Sequence, residues 1–155
     1  HIPVGYFKTM HNPKFDWCYM TEPDEGIAGR RLHWPRGKVL GGTSSINGLL
    51  YVRGQPQDYD RWAELGNKGW SFKEVLPYFK KSEDQERGEG VYHGVGGLLK
   101  VSDLRLRRPI ADLFIKAAMQ TGIPFNEDYN ADEQEGVANF QQTAYNGFSW
   151  STAKG

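Results

Sequence analysis

The sequence holds a single cysteine, Cys18, in 155 residues. An intrachain disulfide needs two, so a disulfide-stapled secreted module is excluded. There is no excess charge of either sign, since Lys+Arg and Asp+Glu are both 19. Phosphate binding draws on surplus Lys and Arg, so nucleic acid is not an expected partner. A disordered acidic or basic tail is excluded on the same count. Long apolar runs are also missing. A stretch such as Leu49-Leu50-Tyr51-Val52 is far short of the roughly 20 residues that span a bilayer. No signal-peptide pattern opens the chain. A reducing, cytoplasmic compartment is therefore expected, with peripheral membrane attachment of a longer parent left open. Neither a Walker A loop nor a Gly-x-Gly-x-x-Gly occurs. His1, His11, His33 and His93 are scattered, with no His-x-x-x-His and no Cys pairing, so no metal site is expected. The acidic loop at Asp128, Asp132, Glu133 and Glu135 lacks EF-hand spacing and reads as solvated. So does the basic cluster Arg105, Arg107 and Arg108 beside Asp103. Ser149 and Ser151 lack a Gly-x-Ser-x-Gly context, which argues against a hydrolase nucleophile.

What is present is a load of large rings and of turns. Aromatics make up 14%, with 19 glycines and 8 prolines. A length of 155 residues fits one domain, yet so much irregular backbone needs a ligand, a cofactor or more chain to complete its core. The chain opens on His1 and ends just after a helix-like start, Ser151-Thr152-Ala153-Lys154. Both ends suggest an internal piece of a longer protein. Residues 1–35 read as loop, with short strands at 15–19 and 30–34 and a turn near Glu25-Gly26. The spacing predicts a helix from Asp58 to Leu65 closed by Gly66. A capping box, Ser71-Phe72-Lys73-Glu74, opens another helix to about Ser82 with Pro77 inside it. A strand is expected over Leu98–Val101, and a helix from Ile110 to Thr121 starts behind Pro109 and stops at Gly122. Alternation marks Val137–Tyr145 as a strand before an Asn146-Gly147 turn. The fold class that results is mixed, loop-rich α/β.

The informative stretch runs from Arg36 to Gly54. Gly41 and Gly42 let another group approach the backbone. Thr43, Ser44 and Ser45 supply hydroxyls, Asn47 an amide that both donates and accepts, and Gly48 a second open position. The run Ile46–Val52 is expected to be a buried helix. Its Gly-Gly and hydroxyl start would offer amide hydrogens to an anion or a polar ring edge. An ordinary loop-to-helix junction accounts for the same residues.

The pattern Gly37-Lys38-x-Leu40-Gly41-Gly42-Thr43-Ser44-x-Ile46-Asn47-x-x-x-Tyr51-x-x-Gly54, followed by Asp60, resembles the first signature of the glucose–methanol–choline (GMC) flavoprotein oxidoreductases. The surroundings resemble their bacterial choline dehydrogenase and alcohol dehydrogenase branch. They include Asn12-Pro13-Lys14-Phe15-Asp16-Trp17, Thr21-Glu22-Pro23, Tyr51-Val52-Arg53-Gly54, Asp58-Tyr59-Asp60-x-Trp62 and Gly69-Trp70-Ser71. His93-Gly94-x-x-Gly97 and Gln141-x-Thr143 continue the likeness, which covers essentially the whole chain.

The resemblance implies FAD and transfer of a hydride from an alcohol to the flavin. Gly41, Gly42, Thr43 (or its amide), Asn47, Gly48, Leu49 and Leu50 would contact the cofactor or wall it. Ile46 and Asn47 stand where some members carry a flavin-linking His, so noncovalent FAD is implied. Residues 1–55, with the signature at 37–60, would form the FAD-contacting segment. Residues 56–155 would bridge toward a substrate domain. The family's N-terminal dinucleotide unit and its C-terminal catalytic histidine are absent from this chain, so no catalytic residue is expected here and the fragment alone would be inactive. The implied partners are a small-molecule alcohol and an unidentified electron acceptor. The competing reading is a noncatalytic binding or interaction module that reuses a Gly-Gly-Ser/Thr loop.

Overall fold

A computed structural model describes residues 5–154, which divide into two units. One runs to Leu49 and takes in the chain again from Ala144; the other is Leu50–Thr143. Helices and short strands are mixed, and the strands pair two by two rather than in one continuous sheet.

In the first unit a one-turn helix, α1 (Tyr6–Thr9), precedes an antiparallel ribbon of β1 (Tyr19–Met20) and β2 (His33–Trp34). The ribbon continues irregularly, with an isolated bridge from Asp16 to Gly37. The strand expected over 15–19 overlaps β1 at Tyr19 alone, and the one expected over 30–34 is laddered only at His33–Trp34. The interruption has a local cause. Cys18 adopts φ 53, and Pro35, which the register sets opposite it, has no N–H to donate. The turn between the strands holds a 3-10 helix over Glu25–Ile27, capped by the Asp24 carboxylate on Gly26 N at 2.7 Å. A second ribbon, β5 (Ala144–Tyr145) with β6 (Phe148–Ser149), is closed by Asn146 (φ 49) and Gly147 (φ 78). This is the two-residue turn expected of Asn-Gly. Residues 152–154 form a turn rather than the helix start read from the sequence.

The second unit begins with α2 (Pro56–Glu64) and α3 (Phe72–Ser82). Each opens on a capping box: Gln55 N donates to Asp58 Oδ2 at 2.9 Å, and Ser71 N to Glu74 Oε2 at 3.2 Å. Pro77 removes one backbone donor from α3, which nevertheless runs unbroken to Ser82. Tyr59 joins the two helices, with ring centroids 6.1 Å from Phe72 and 5.6 Å from Phe79. From α3 the chain passes straight into β3 (Glu83–Gln85), which pairs in parallel with β4 (Leu99–Val101). The crossover needs glycine where it touches the helix end. A Cβ on Gly94 would lie 2.0 Å from Lys80 O, and one on Gly97 2.4 Å from Ser82 C. Helix α4 (Pro109–Gln120) follows, one residue off the expected span. Val137–Tyr145 is not a continuous strand. Val137 and Gln142 form isolated bridges, and only Ala144–Tyr145 is laddered.

Few apolar side chains are buried among the described residues, chiefly Ile46, Leu49, Tyr51, Val101, Tyr129 and Ala144. In the second unit polar groups do much of the cohesive work. Glu83 is fully buried beside Arg53, whose Nη2 lies 2.9 Å from Glu83 Oε2. Glu83 also faces His93 Nδ1 at 3.1 Å and accepts from Gly94 N at 3.0 Å. His93 Nε2 meets Asp128 Oδ1 at 2.9 Å. The acidic loop is therefore not merely solvated: Asp128 anchors it. Likewise Asp103 is held by Arg87 at 2.9 Å and by Gln141 Nε2 at 2.9 Å. Residues 51–53 are satisfied by side chains as much as by backbone. Asn130 Nδ2 and Tyr129 OH both donate to Tyr51 O, and Asn130 Oδ1 accepts from Arg53 N. No helix among the described residues is long and apolar enough to cross a membrane.

Candidate cofactor-contacting loop

Residues 37–49, in the first unit, form a glycine-built loop around a 3-10 helix, Gly42–Ser45. The helix expected over Ile46–Val52 does not form. Ile46 ends the 3-10 turn, and Leu49 takes φ 66, a left-handed conformation no α-helix continues through. A four-residue 3-10 turn also cannot supply the N-terminal anion site of a long helix. Any polar recognition here must come from individual donors.

The loop closes on itself tightly. A Cβ on Gly37 would stand 2.1 Å from Gly42 O, so two stretches of backbone touch there. Thr43 Oγ1 accepts from Gly37 N at 3.2 Å, Ser44 Oγ donates to Gly41 O, and Ser45 Oγ donates to Leu40 O at 2.9 Å. Ser44 Oγ accepts from Thr152 N at 3.0 Å, which ties the loop to the 152–154 turn. Gly41 takes φ 85, and a Cβ there would lie 2.6 Å from Ser45 Oγ. The hydroxyls that read as ligand donors in the sequence thus hold the loop together, although Thr43 keeps its own O–H proton.

Other positions are left open. Gly42 and Gly48 have nothing within 4 Å of where a Cβ would stand. Asn47 is exposed; its Oδ1 accepts from Leu49 N at 3.1 Å, while its Nδ2 has no partner among the described residues. Leu49 is buried, so it shapes the loop from beneath rather than presenting an apolar face. Leu50 is 57% exposed, and Val52 is exposed as well. Leu50 belongs to the second unit, where it bridges Gln142.

Beside the loop lies a cleft of about 520 Å³, lined by Phe15, Val39, Leu40, Ile46, Asn47 and Ser149 among others. That size suits a small-molecule or cofactor site. Ser149 Oγ is buried and without a hydrogen-bond partner among the described residues. A buried hydroxyl left unmet costs about 1–3 kcal/mol, which an ordered water or a ligand's polar group would relieve. Sequence reasoning weighed Ser149 only as a nucleophile; nothing in its local sequence marks it as a cleft-lining donor.

Comparison with known proteins covers nearly the whole chain. The GMC oxidoreductase family model matches residues 9–155. Mouse mitochondrial choline dehydrogenase is 42% identical over 153 residues, 99% of this chain and 26% of that protein. The oxygen-dependent choline dehydrogenase of Sinorhizobium medicae is 43% identical over 98% of this chain and 28% of its own length. Among solved structures, pyridoxine 4-oxidase from Mesorbium loti superposes with TM-score 0.86 at 33% identity, covering 94% of this chain and 29% of that one. Formate oxidase of Aspergillus oryzae, in a structure concerned with FAD modification, superposes with TM-score 0.86 at 28% identity, over 98% of this chain and 28% of that one. The chain thus spans little more than a quarter of the proteins it matches. It belongs to the GMC oxidoreductase family.

Proposed function

We propose that this chain is the flavin-lining part of an FAD-dependent oxidoreductase acting on CH–OH groups, of the choline and alcohol dehydrogenase kind. The observation that carries the reading is the loop at 41–48 beside its cleft. Gly42 and Gly48 are open to close approach, and among the described residues Asn47 Nδ2 and the buried Ser149 Oγ have no partner. These features fit a flat, polar-edged ring. FAD, when bound, supplies the hydride acceptor that converts an alcohol to an aldehyde.

The chain's own residues bind and orient. Gly41 and Gly42 take the left-handed turn that starts the loop, and Thr43 and Asn47 offer donors to polar ring atoms. Gly48 permits contact, and Leu49 braces the loop. We assign residues 1–55 to the FAD side and 56–155 to the connection toward the substrate domain. No residue here takes the role of proton acceptor from the alcohol; that role falls to another part of the enzyme. With Ile46 and Asn47 in the signature, the attachment is noncovalent. The enzyme works on a small alcohol in a cytoplasmic compartment and passes electrons to a separate acceptor.

The test uses the flavoprotein that contains this segment. Acid precipitation should release its flavin into the supernatant, and anaerobic choline or a primary alcohol should bleach the flavin absorption. Gly42→Val and Asn47→Ala should each lower flavin content or the rate of bleaching. Wild-type flavin content and rate in both variants would sink the assignment of this loop.

A further inference from the structure

We infer that His11, Asp16 and His33 form a site for a divalent transition cation of the zinc class. Their scattered positions in the sequence concealed the grouping. One ligand atom from each of the three lies within 4.8 Å of the others. The two imidazole rings meet edge to face with centroids 4.0 Å apart.

Each member is positioned by backbone. Asp16 is 1% exposed, and its carboxylate is fastened by three amides: Cys18 N and Arg36 N on Oδ1, His11 N on Oδ2. Oδ2 therefore keeps a lone pair that no amide takes. His11 adopts φ 62, an unfavourable conformation for a residue with a Cβ, and that conformation sets its amide on Asp16. His33 lies in β2, paired with Met20 of β1. Its Nδ1 is buried and without a hydrogen-bond partner among the described residues. No hydrogen bond or ion pair links either ring to the Asp16 carboxylate among the described residues. A buried carboxylate and an unmet imidazole nitrogen, adjacent and unbridged, form a cluster lacking the atom between them.

The donor set decides the chemistry. Two imidazoles and one carboxylate suit zinc, nickel, cobalt or copper, and offer too few oxygens for calcium or magnesium. Three protein ligands leave at least one coordination position for water or another group. The cation would cross-link the turn after α1 to the β1–β2 ribbon. The inference is independent of the flavin reading, because none of the three residues belongs to the 41–48 loop.

The experiment titrates Co²⁺ into the metal-free chain and follows its visible ligand-field absorption. The chain carries His1→Ala and Cys18→Ser, which remove the terminal imidazole and the thiol as competing ligands. Expected are saturation at one Co²⁺ per chain and one-for-one displacement by Zn²⁺. His11→Ala should weaken binding at least about tenfold, since loss of a mere outer-shell partner already does so. His11 is exposed, so this variant should keep the wild-type far-UV dichroism. His33→Ala should weaken binding at least as much. Absence of saturable binding overturns the site, as does undiminished affinity when both histidines are replaced.

Discussion

Raising the pH past neutrality should weaken the second unit through one residue, His93. Its ring sits between two carboxylates, with Nδ1 at 3.1 Å from Glu83 Oε2 and Nε2 at 2.9 Å from Asp128 Oδ1. The hydrogen bond to Asp128 and then that to Glu83 raise its pKa from 6.5 to about 9, against the opposing effect of burial. The partners move the other way. Burial pushes the Glu83 carboxyl up, but His93, the Gly94 amide and Arg53 outweigh it and hold it below its ordinary value. Asp128 is lowered, chiefly by His93. The charged groups facing the ring are thus Glu83 and Asp128, with Arg53 beside Glu83 and Arg87 near Asp128.

Because the folded pKa lies above the unfolded one, the protonated ring stabilises the fold fully below pH 6.5, and this stabilisation is lost as pH rises through about 9. At about 1.4 kcal/mol for each tenfold, the ceiling is about 3 kcal/mol. The Asp128 side chain is 46% exposed, so solvent screening reduces the expected value to about 1–2 kcal/mol. The assay is urea unfolding by far-UV dichroism at a series of pH values, for wild type and for His93→Gln, which donates but carries no charge. The stability gap between the two should be widest below pH 6.5 and close to its minimum above about 9. A gap that stays constant with pH would refute the charge argument and leave His93 as a packing residue only.

Removing the other end of the same cluster should be more damaging. Glu83→Gln strands the buried Arg53 guanidinium and should cost about 3–5 kcal/mol, visible as a lower urea midpoint with unchanged slope. Gly97→Ala should destabilise by about 1–3 kcal/mol or more, since its Cβ meets Ser82 backbone at 2.4 Å; a wild-type midpoint would show that the crossover can shift. Ile46→Ala removes one of the few buried apolar side chains and should cost about 2–5 kcal/mol by the same measurement. Gly147→Ala places a Cβ at φ 78 and should cost about 1–2 kcal/mol without altering flavin content in the flavoprotein.

Features that depend on neighbours along the chain were legible before any fold was known. The Ser71–Glu74 capping box, the Pro109 helix start and the Asn146-Gly147 turn all form where local chemistry set them, because each is closed within a few residues. The Gly37–Asp60 signature likewise carried the family. Long-range pairing decided the rest. The apolar run Ile46–Val52 reads as a buried helix, yet the left-handed Leu49 breaks it and side chains of Tyr129 and Asn130 take up the Tyr51 carbonyl. Asp128 and His93 are 35 positions apart, and no spacing rule joins them; only the fold of the second unit makes the acidic loop a clamp. Ser149 lines a cleft with Val39 and Asn47 only because the chain returns to the first unit at Ala144. His11, Asp16 and His33 meet because the ribbon folds back at Glu25–Ile27, and contacts of that kind are set by tertiary closure rather than by composition or period.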